Sequence, residues 1–198
     1  MNEKTNLTLE KAFNLALQNP QNNLAAAENL CKEILDNEPN HFQANFFLGI
    51  LSAINKKFAI AKQLLNKATE IDPSNSDAHN NLGNVLKQIG ENQEAKDCYI
   101  KAIQIDPNNA PLHNNLGNVL EELGEHYKAK SCYEKAIQIK PNYLIALNNL
   151  GGLLKELGEY EKAKNCYEKA IQVQPGYVVA INNLGNVQGK LEEYDKAI

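Results

Sequence analysis

The chain has 198 residues, of which 43% are apolar and 22% charged, so a folded domain does not require disulfides or metals. Its net charge of −4 and its pI of about 5.6 argue against a surface that binds nucleic acid phosphates. No run of about 18 apolar residues predicts a membrane-spanning helix. The first residues lack the apolar segment of a secretory signal, and we therefore expect a cytoplasmic protein.

A segment of 34 residues recurs along the chain and dominates the sequence. The motif Asn-Asn-Leu-Gly begins at Asn80 and returns at the same spacing at Asn114, Asn148 and Asn182. Prolines keep the same spacing at Pro39, Pro73, Pro107, Pro141 and Pro175. One repeat frame therefore runs without a gap from Thr8 to Ile198.

In chain order, the frame predicts a tail followed by five and a half units. The tail is 1–7, a degenerate capping unit is 8–41, complete units are 42–75, 76–109, 110–143 and 144–177, and a truncated unit is 178–198. In the first unit Pro20 lies between two helices and the Leu-Gly pair is missing. Such divergence is typical of a capping unit, which has no preceding neighbour to pack against.

Each complete unit is predicted to form two helices. In the unit 76–109 the apolar residues of each half recur at helical spacing, which predicts one buried face on each helix. Gly90 separates the two stretches as a helix stop, and Pro107 cannot continue the second helix. Because one helix pair cannot bury both apolar faces by itself, we expect the units to stack.

This pattern resembles the tetratricopeptide repeat (TPR). The matching residues of two units are Leu82, Gly83, Ala95, Tyr99, Ala102 and Pro107, then Leu116, Gly117, Ala129, Tyr133, Ala136 and Pro141. The resemblance implies an all-α solenoid of antiparallel helix pairs in a right-handed superhelix, and a scaffold for protein–protein interaction. The usual Trp position instead holds Asn45, His79, His113, Leu147 and Ile181. We expect the two histidines there to pack between helices.

No sequence pattern predicts catalysis, a metal site or a cofactor. Cys98, Cys132 and Cys166 share one repeat position, whose copies in stacked helices lie about 10 Å apart, too far for a disulfide. Without CxxC or paired histidines, these thiols are interpreted as packing residues in a reducing compartment. No nucleophile with a base and no phosphate-binding loop is found, so the chain is not expected to be an enzyme.

The asparagines of the first helices are the feature that packing does not explain. Asparagine is a poor residue for a helix interior, yet Asn81, Asn115, Asn149 and Asn183 form a column at one repeat position. The candidate peptide-binding residues are Asn80, Asn81, Asn84, Asn114, Asn115, Asn118, Asn148, Asn149, Asn182, Asn183 and Asn186. In the TPR family these positions line the concave groove. The alternative is that the amides hydrogen-bond between adjacent repeats, or that they reflect biased codon usage.

A column of primary amides suits an extended peptide, because each amide offers a donor and an acceptor to its backbone. Amides about 10 Å apart would meet every third residue of a strand that rises about 3.3 Å per residue. The arrangement resembles the TPR region of O-linked N-acetylglucosamine transferases, which implies a groove that holds protein substrates. TPR proteins that clamp acidic chaperone tails need Lys and Arg at sites that here hold asparagines and Asp77, so that ligand is not expected.

The first complete unit and the last one leave alternatives open. Phe46, Phe47 and Ile50 replace the asparagines of later units, either as a pocket for an anchor side chain or, as we favour, as a surface packed on the first unit. Residues 195–198 match only the start of a second helix. We expect either a fragment of a longer protein or an end that another molecule covers, and this end could also self-associate.

Two functions are therefore predicted. The first is a scaffold that binds extended peptide segments of a protein ligand in an asparagine-lined groove. The alternative is the N-terminal substrate-recognition arm of a larger enzyme, such as a glycosyltransferase, whose catalytic domain lies outside this chain. Neither function involves nucleic acid, a membrane or a cofactor.

Overall fold

The computed structural model describes residues 3–18 and 20–195, with side chains for all of these except residues 3–7, 17, 20–22 and 193–195. This part contains eleven helices and no strand, which confirms the predicted all-α fold. The helices are α1 Glu3–Gln18, α2 Pro20–Asn37, α3 Phe42–Ile54, α4 Phe58–Ile71, α5 Ser76–Gln88, α6 Asn92–Ile105, α7 Ala110–Glu122, α8 His126–Ile139, α9 Leu144–Glu156, α10 Tyr160–Val173 and α11 Val178–Asp195. None of them is long and apolar enough to cross a membrane.

The helices form two compact units, Met1–Ile105 and Asp106–Ile198. In the first unit α1 packs on α2, α3 on α4 and α5 on α6, and α1, α3 and α5 are also neighbours. In the second unit α7 packs on α8 and α9 on α10, and α7, α9 and α11 are neighbours. Each unit is therefore a stack of helix pairs, in which the first helices of successive pairs lie side by side.

Glycines allow the two helices of a pair to approach closely. A Cβ added at Gly117 would lie 2.5 Å from Cε1 of Tyr133, which is closer than real atoms come. The same close approach joins Gly83 to Tyr99 and Gly151 to Tyr167. All three tyrosine side chains are completely buried, so each ring fills the space that the glycine leaves open.

The loops between the helices of a pair use left-handed backbone. Gly90, Gly124 and Gly158 have φ of +81°, +74° and +75°, a conformation that glycine adopts without steric cost. Lys56 holds the same position in the unit 42–75 with φ of 58°. In the last unit this position is Glu192, and α11 continues through it to Asp195.

This continuation corrects the expected start of a second helix at Asp195, which is the last residue of α11. The physical reason is that Glu192 has no intrinsic preference for the left-handed region, so nothing local stops the helix. Residues 196–198, which belong to the same prediction, lie outside the described part of the chain.

The N-terminal helix is longer than the repeat frame predicts. Residues 3–7, expected to be a tail, form the first turns of α1, since no Pro or Gly interrupts the segment 3–18. The ring of Phe13 on α1 stacks on Phe47 of α3, with centroids 4.1 Å apart. The packing interpretation is thus confirmed for Phe47, while Phe46 stacks on Phe42 of its own helix at 5.6 Å.

Candidate functional site

The predicted peptide-binding asparagines all lie on first helices, namely α5, α7, α9 and α11. The exposed ones are Asn84, Asn182 and Asn186, and the half-buried ones are Asn80, Asn81, Asn115, Asn118, Asn148, Asn149 and Asn183. Asn114 is buried, with 3% of its surface exposed. Its Oδ1 accepts a hydrogen bond from α9, so the side chain faces a neighbouring helix, and the predicted contact of Asn114 with a peptide stays a prediction.

Amide–amide hydrogen bonds join adjacent first helices in the second unit. Asn149 Nδ2 on α9 donates to Asn114 Oδ1 at 3.1 Å and to Asn118 Oδ1 at 2.9 Å, both on α7. Asn183 Nδ2 on α11 donates to Asn148 Oδ1 on α9 at 3.0 Å. The alternative interpretation, in which amides bond between repeats, is confirmed for these residues.

The hydrogen bonds orient the amides that remain at the surface. Asn149 uses both of its N–H groups, and Asn81 Nδ2 donates to the Asp77 carbonyl of its own helix at 2.8 Å. Among the side chains that the structure describes, no donor reaches Oδ1 of Asn81, Asn149 or Asn183. These half-buried side chains therefore keep an unused carbonyl acceptor, and part of the donor capacity that the sequence implied is used within the protein.

A tyrosine of the second helix also binds an asparagine of the first. The Tyr99 hydroxyl donates to Asn84 Oδ1 at 2.8 Å. The Tyr133 hydroxyl lies 2.8 Å from Asn118 Oδ1 and 2.7 Å from Glu121 Oε2, so two acceptors share its proton. Burial, together with the negative Glu121 carboxylate, raises the pKa of Tyr133 far above its usual value. Sequence reasoning missed this pair, although the two residues recur 15 positions apart in both repeats.

The usual Trp position carries a second recurring hydrogen bond. His79 Nε2 lies 3.0 Å from the carbonyl oxygen of Pro73, and His113 Nε2 lies 2.9 Å from that of Pro107. Asn45 Nδ2 donates to the Pro39 carbonyl at 3.0 Å in the same way. His79 is buried, as expected of a residue that packs between helices, whereas His113 is only half-buried. Both rings tie their first helix to the proline loop that precedes it.

The compact unit 1–105 contains an apolar cavity of about 380 Å³ beside the asparagines of α5. Its apolar lining is Ile50, Ala53, Ile54, Phe58, Leu65 and Val85, and its polar lining is Asn81, Asn84, Gln88 and Lys56. Ile50 also packs against the Phe13 and Phe47 cluster. Ile50 therefore packs on this cluster and also lines the cavity, while a role of the cavity in holding an anchor side chain stays a prediction.

The four cysteine thiols share one electrostatic property. Burial raises the pKa of Cys31, Cys98, Cys132 and Cys166 to about 11, which leaves the thiols protonated near neutral pH. In residues 8–192, no three His, Cys, Asp or Glu side chains come together where they could hold a metal ion.

Comparison with known families finds only repeats of one kind. Tetratricopeptide repeat models match residues 16–76, 64–97, 108–176 and 166–198, and a TPR repeat model matches residues 83–124. No significant sequence match is found among curated proteins. The resemblance to O-linked N-acetylglucosamine transferases stays a prediction from the sequence.

Solved TPR structures superimpose well on this chain. MamA is 28% identical, with 79% of this chain and 91% of MamA covered and a TM-score of 0.75. YrrB, described as a TPR protein with an unusual peptide-binding site, is 23% identical over 86% of this chain and 87% of its own, with a TM-score of 0.73. The first TPR of Spaghetti (RPAP3), bound to the HSP90 peptide SRMEEVD, is 27% identical over 59% of this chain and 93% of its own, with a TM-score of 0.57.

The sequence models and the solved structures agree with the stack of helix pairs. Together the repeat models match the chain continuously from residue 16 to residue 198. MamA superimposes on these helix pairs with a TM-score of 0.75. This chain therefore belongs to the tetratricopeptide repeat proteins.

Proposed function

We propose that this TPR interaction scaffold binds extended peptide segments along the first helices, with asparagine carbonyls as its main polar contacts. One observation carries the proposal. Both N–H groups of Asn149 are bound to α7, the first helix of the preceding repeat, while its half-buried side chain keeps an acceptor that no described donor reaches. A peptide backbone supplies the matching N–H donor.

The amide network suits this role because it holds the acceptors in place before a ligand arrives. A side chain that is already fixed loses little conformational entropy on binding. Each new hydrogen bond contributes about 0.5–1.5 kcal/mol, so several acceptors must act together. Acceptors on neighbouring helices, about 10 Å apart, would meet every third residue of an extended strand.

The cavity of the compact unit 1–105 is an apolar binding site beside that unit's own asparagines. Its apolar walls lie beside the amides of Asn81 and Asn84, so an apolar peptide side chain could enter it while the backbone meets the amides. Interfaces of this kind take most of their affinity from a few buried anchors. The bound peptide of the RPAP3 structure supports a peptide ligand as a class.

The ligand is expected to differ from an acidic chaperone tail. A clamp for carboxylates requires cations on the first helices, whereas α5 carries Asp77 and asparagines at those sites. The two further sequence-based alternatives, an arm of a larger enzyme and self-association through the C-terminal end, stay predictions.

Replacing Asn81, Asn115, Asn149 and Asn183 by Ala tests the proposal. Peptides would first be selected from a random phage-displayed library on the wild-type protein, and their affinity would then be measured by fluorescence anisotropy. We expect the quadruple variant to bind more weakly by a few kcal/mol, at about 1 kcal/mol for each lost hydrogen bond. The matched control replaces the exposed Gln138 and Gln172 of the second helices and should bind normally.

The structure also changes the expected stability of this variant. From helix propensity alone, Ala at these positions leaves folding intact or improves it. Asn149 and Asn183 bond to neighbouring helices, so their loss should cost about 1 kcal/mol for each hydrogen bond, partly offset by the propensity of Ala. Unchanged peptide affinity in a variant that remains folded would contradict the proposed function.

A further inference from the structure

A single side-chain carbonyl oxygen of the unit 110–143 forms hydrogen bonds that connect three helices. Asn118 Oδ1 on α7 accepts a hydrogen bond from the Tyr133 hydroxyl of α8 at 2.8 Å. The same oxygen accepts one from Asn149 Nδ2 of α9 at 2.9 Å. Two donors from two other helices thus converge on one acceptor.

The next repeat keeps both donors and lacks the acceptor. Gly152 of α9 stands 34 residues after Asn118 and has no side chain. The hydroxyl of Tyr167, the counterpart of Tyr133, is buried and has no hydrogen-bond partner in the structure. Asn183, the counterpart of Asn149, donates to Asn148 alone, and no second acceptor is found for it among residues 8–192.

The space left by the missing side chain is open. A Cβ added at Gly152 would meet only one atom within 4 Å, the Tyr167 hydroxyl oxygen at 4.0 Å. At the adjacent Gly151 a Cβ would clash with the Tyr167 ring at 2.7 Å, so the free space is specific to Gly152. Gly152 and Asn183 are both half-buried, which leaves the space accessible from the surface. We call this space, beside Gly152 and Tyr167, the Gly152 notch, and by analogy with Asn149 and Asn118 one repeat earlier we place Asn183 at its edge.

We propose that the Gly152 notch binds the side-chain amide of an Asn or Gln residue in the bound peptide. Its carbonyl oxygen takes the place that Asn118 Oδ1 fills one repeat earlier, and accepts from Tyr167 and Asn183. This proposal rests on the proposed peptide-binding function, because it takes the ligand to be a peptide, and it adds which side chain of that peptide is bound. A buried hydroxyl without a partner is destabilising, so a ligand that supplies the acceptor gains more than an ordinary hydrogen bond.

The surroundings favour a neutral amide over a carboxylate. Burial raises the pKa of Tyr167 to about 12, and the Cys166 thiol, which ionises only at high pH, and the Glu156 carboxylate add to the shift, so the hydroxyl keeps its proton and can donate it. A carboxylate ligand would lose its own hydration at a buried hydroxyl and be repelled by Glu156. A backbone carbonyl is also a poorer fit than a side chain, since Asn118 reaches the equivalent hydroxyl only with its extended amide.

The notch can be tested without any peptide, using acetamide as the probe. In a titration of the full chain followed by NMR, we expect saturable shifts of the Gly152 backbone amide and of the Asn183 side-chain NH2 signals. Acetate at the same concentrations should leave them unchanged, as should acetamide added to Gly152→Asn. Absence of saturation in the wild type, an equal response to acetate, or an unchanged response in Gly152→Asn would overturn the assignment.

Stability gives a second, independent test. Gly152→Asn restores the side chain of the preceding repeat, and Gly152→Ala is the matched control that improves helix propensity without an acceptor. We expect the urea midpoint of Gly152→Asn to exceed that of Gly152→Ala, although Asn is the poorer helix former. An equal or lower midpoint would mean that Tyr167 and Asn183 do not converge on this position.

Peptide arrays separate this inference from the function on which it rests. Peptides that carry Asn or Gln at one position should bind the wild type at least about tenfold more tightly than the same peptides with Asp or Leu there. Gly152→Asn should lose that preference and still bind peptides. Acetamide binding without any peptide binding would overturn the proposed function alone. Peptide binding without the amide preference would overturn the notch alone.

Discussion

At the scale of single residues, side-chain volume decides how closely paired helices pack. Gly117 allows the Tyr133 ring to lie against the backbone of α7, and the ring is completely buried there. Dispersion contacts of this kind are individually small and depend steeply on distance. A single methyl group at the glycine would therefore displace a large buried ring.

Gly117→Ala should destabilise the protein by about 1–3 kcal/mol, because its Cβ would lie 2.5 Å from Tyr133. Gly185→Ala is the matched control at the same repeat position of α11, where a Cβ meets nothing within 4 Å. There, Ala should stabilise the helix by about 0.5–1 kcal/mol. Urea denaturation of both variants checks the prediction, and equal effects would show that the ring contact is unimportant.

Leu116→Ala should lower the free energy of unfolding by about 2–5 kcal/mol, since a buried leucine leaves a cavity when truncated. Leu116 is 9% exposed. Ile145, in the next repeat of the same compact unit, is 51% exposed and serves as the control. Ile145→Ala should cost much less. If thermal melting did not distinguish the two variants, the assignment of the core face of α7 would be wrong.

At the scale of helices, ion pairs join two of the second helices, α4 and α8, to the loop of the following repeat. Lys130 Nζ on α8 lies 2.8 Å from Glu159 Oε1, just before α10. Lys62 and Glu91 form the same pair, at the same sequence separation, in the first unit. Lys162 also binds Glu159 from the first turn of α10. These pairs connect adjacent repeats on the side of the second helices, while the amide network connects the first helices.

The Lys130–Glu159 pair should make stability depend on pH. Hydrogen bonds from Lys130 and Lys162 lower the pKa of Glu159 below 4.5, and the bond to Glu159 raises the pKa of Lys130 above 10.5. The stabilisation is therefore complete between these two unfolded-state values. It is lost as the pH falls through the folded pKa of Glu159, or rises through that of Lys130.

Lys130→Met should reduce the urea midpoint near neutral pH, and the difference from wild type should shrink at an acidic pH below the folded pKa of Glu159. The effect is expected to be modest because both groups are partly exposed. Lys135→Met is the control, since Lys135 on the same helix bonds to the neutral Gln138. A midpoint difference that stays constant between the two pH values would exclude the ion pair as its cause.

At the scale of the whole molecule, the four thiols report on the opening of both units. Cys31 and Cys98 lie in the first unit, and Cys132 and Cys166 in the second. Because burial raises each thiol pKa from 9.0 to about 11, the folded protein holds roughly 100-fold less thiolate than an unfolded chain.

Ellman's reagent should therefore react slowly with the native protein and release four equivalents once it is unfolded in guanidinium chloride, one for each cysteine. The reaction rate at about pH 8 would be compared with that of glutathione, whose thiol is unperturbed. Rapid release of even one equivalent from the native protein would show that at least one helix pair opens readily.

The sequence by itself determined the helical elements and their repetition. Apolar spacing, the loop glycines and the repeated prolines act on the chain locally, so the helix pairs can be read from a stretch of 34 residues. The exceptions are also local in origin. Glu192 stands where a glycine would stop α11, and nothing in residues 3–7 interrupts α1.

Only the tertiary structure decided which partner each polar side chain takes. Asn114, Asn118 and Asn149 have the same side chain, yet one is buried, one accepts two hydrogen bonds and one donates two. The sequence places such amides on one helical face, but their partners lie about one repeat away on another helix. Hydrogen bonds depend on distances of a few tenths of an ångström, which the packing of neighbouring helices sets and the repeat spacing does not.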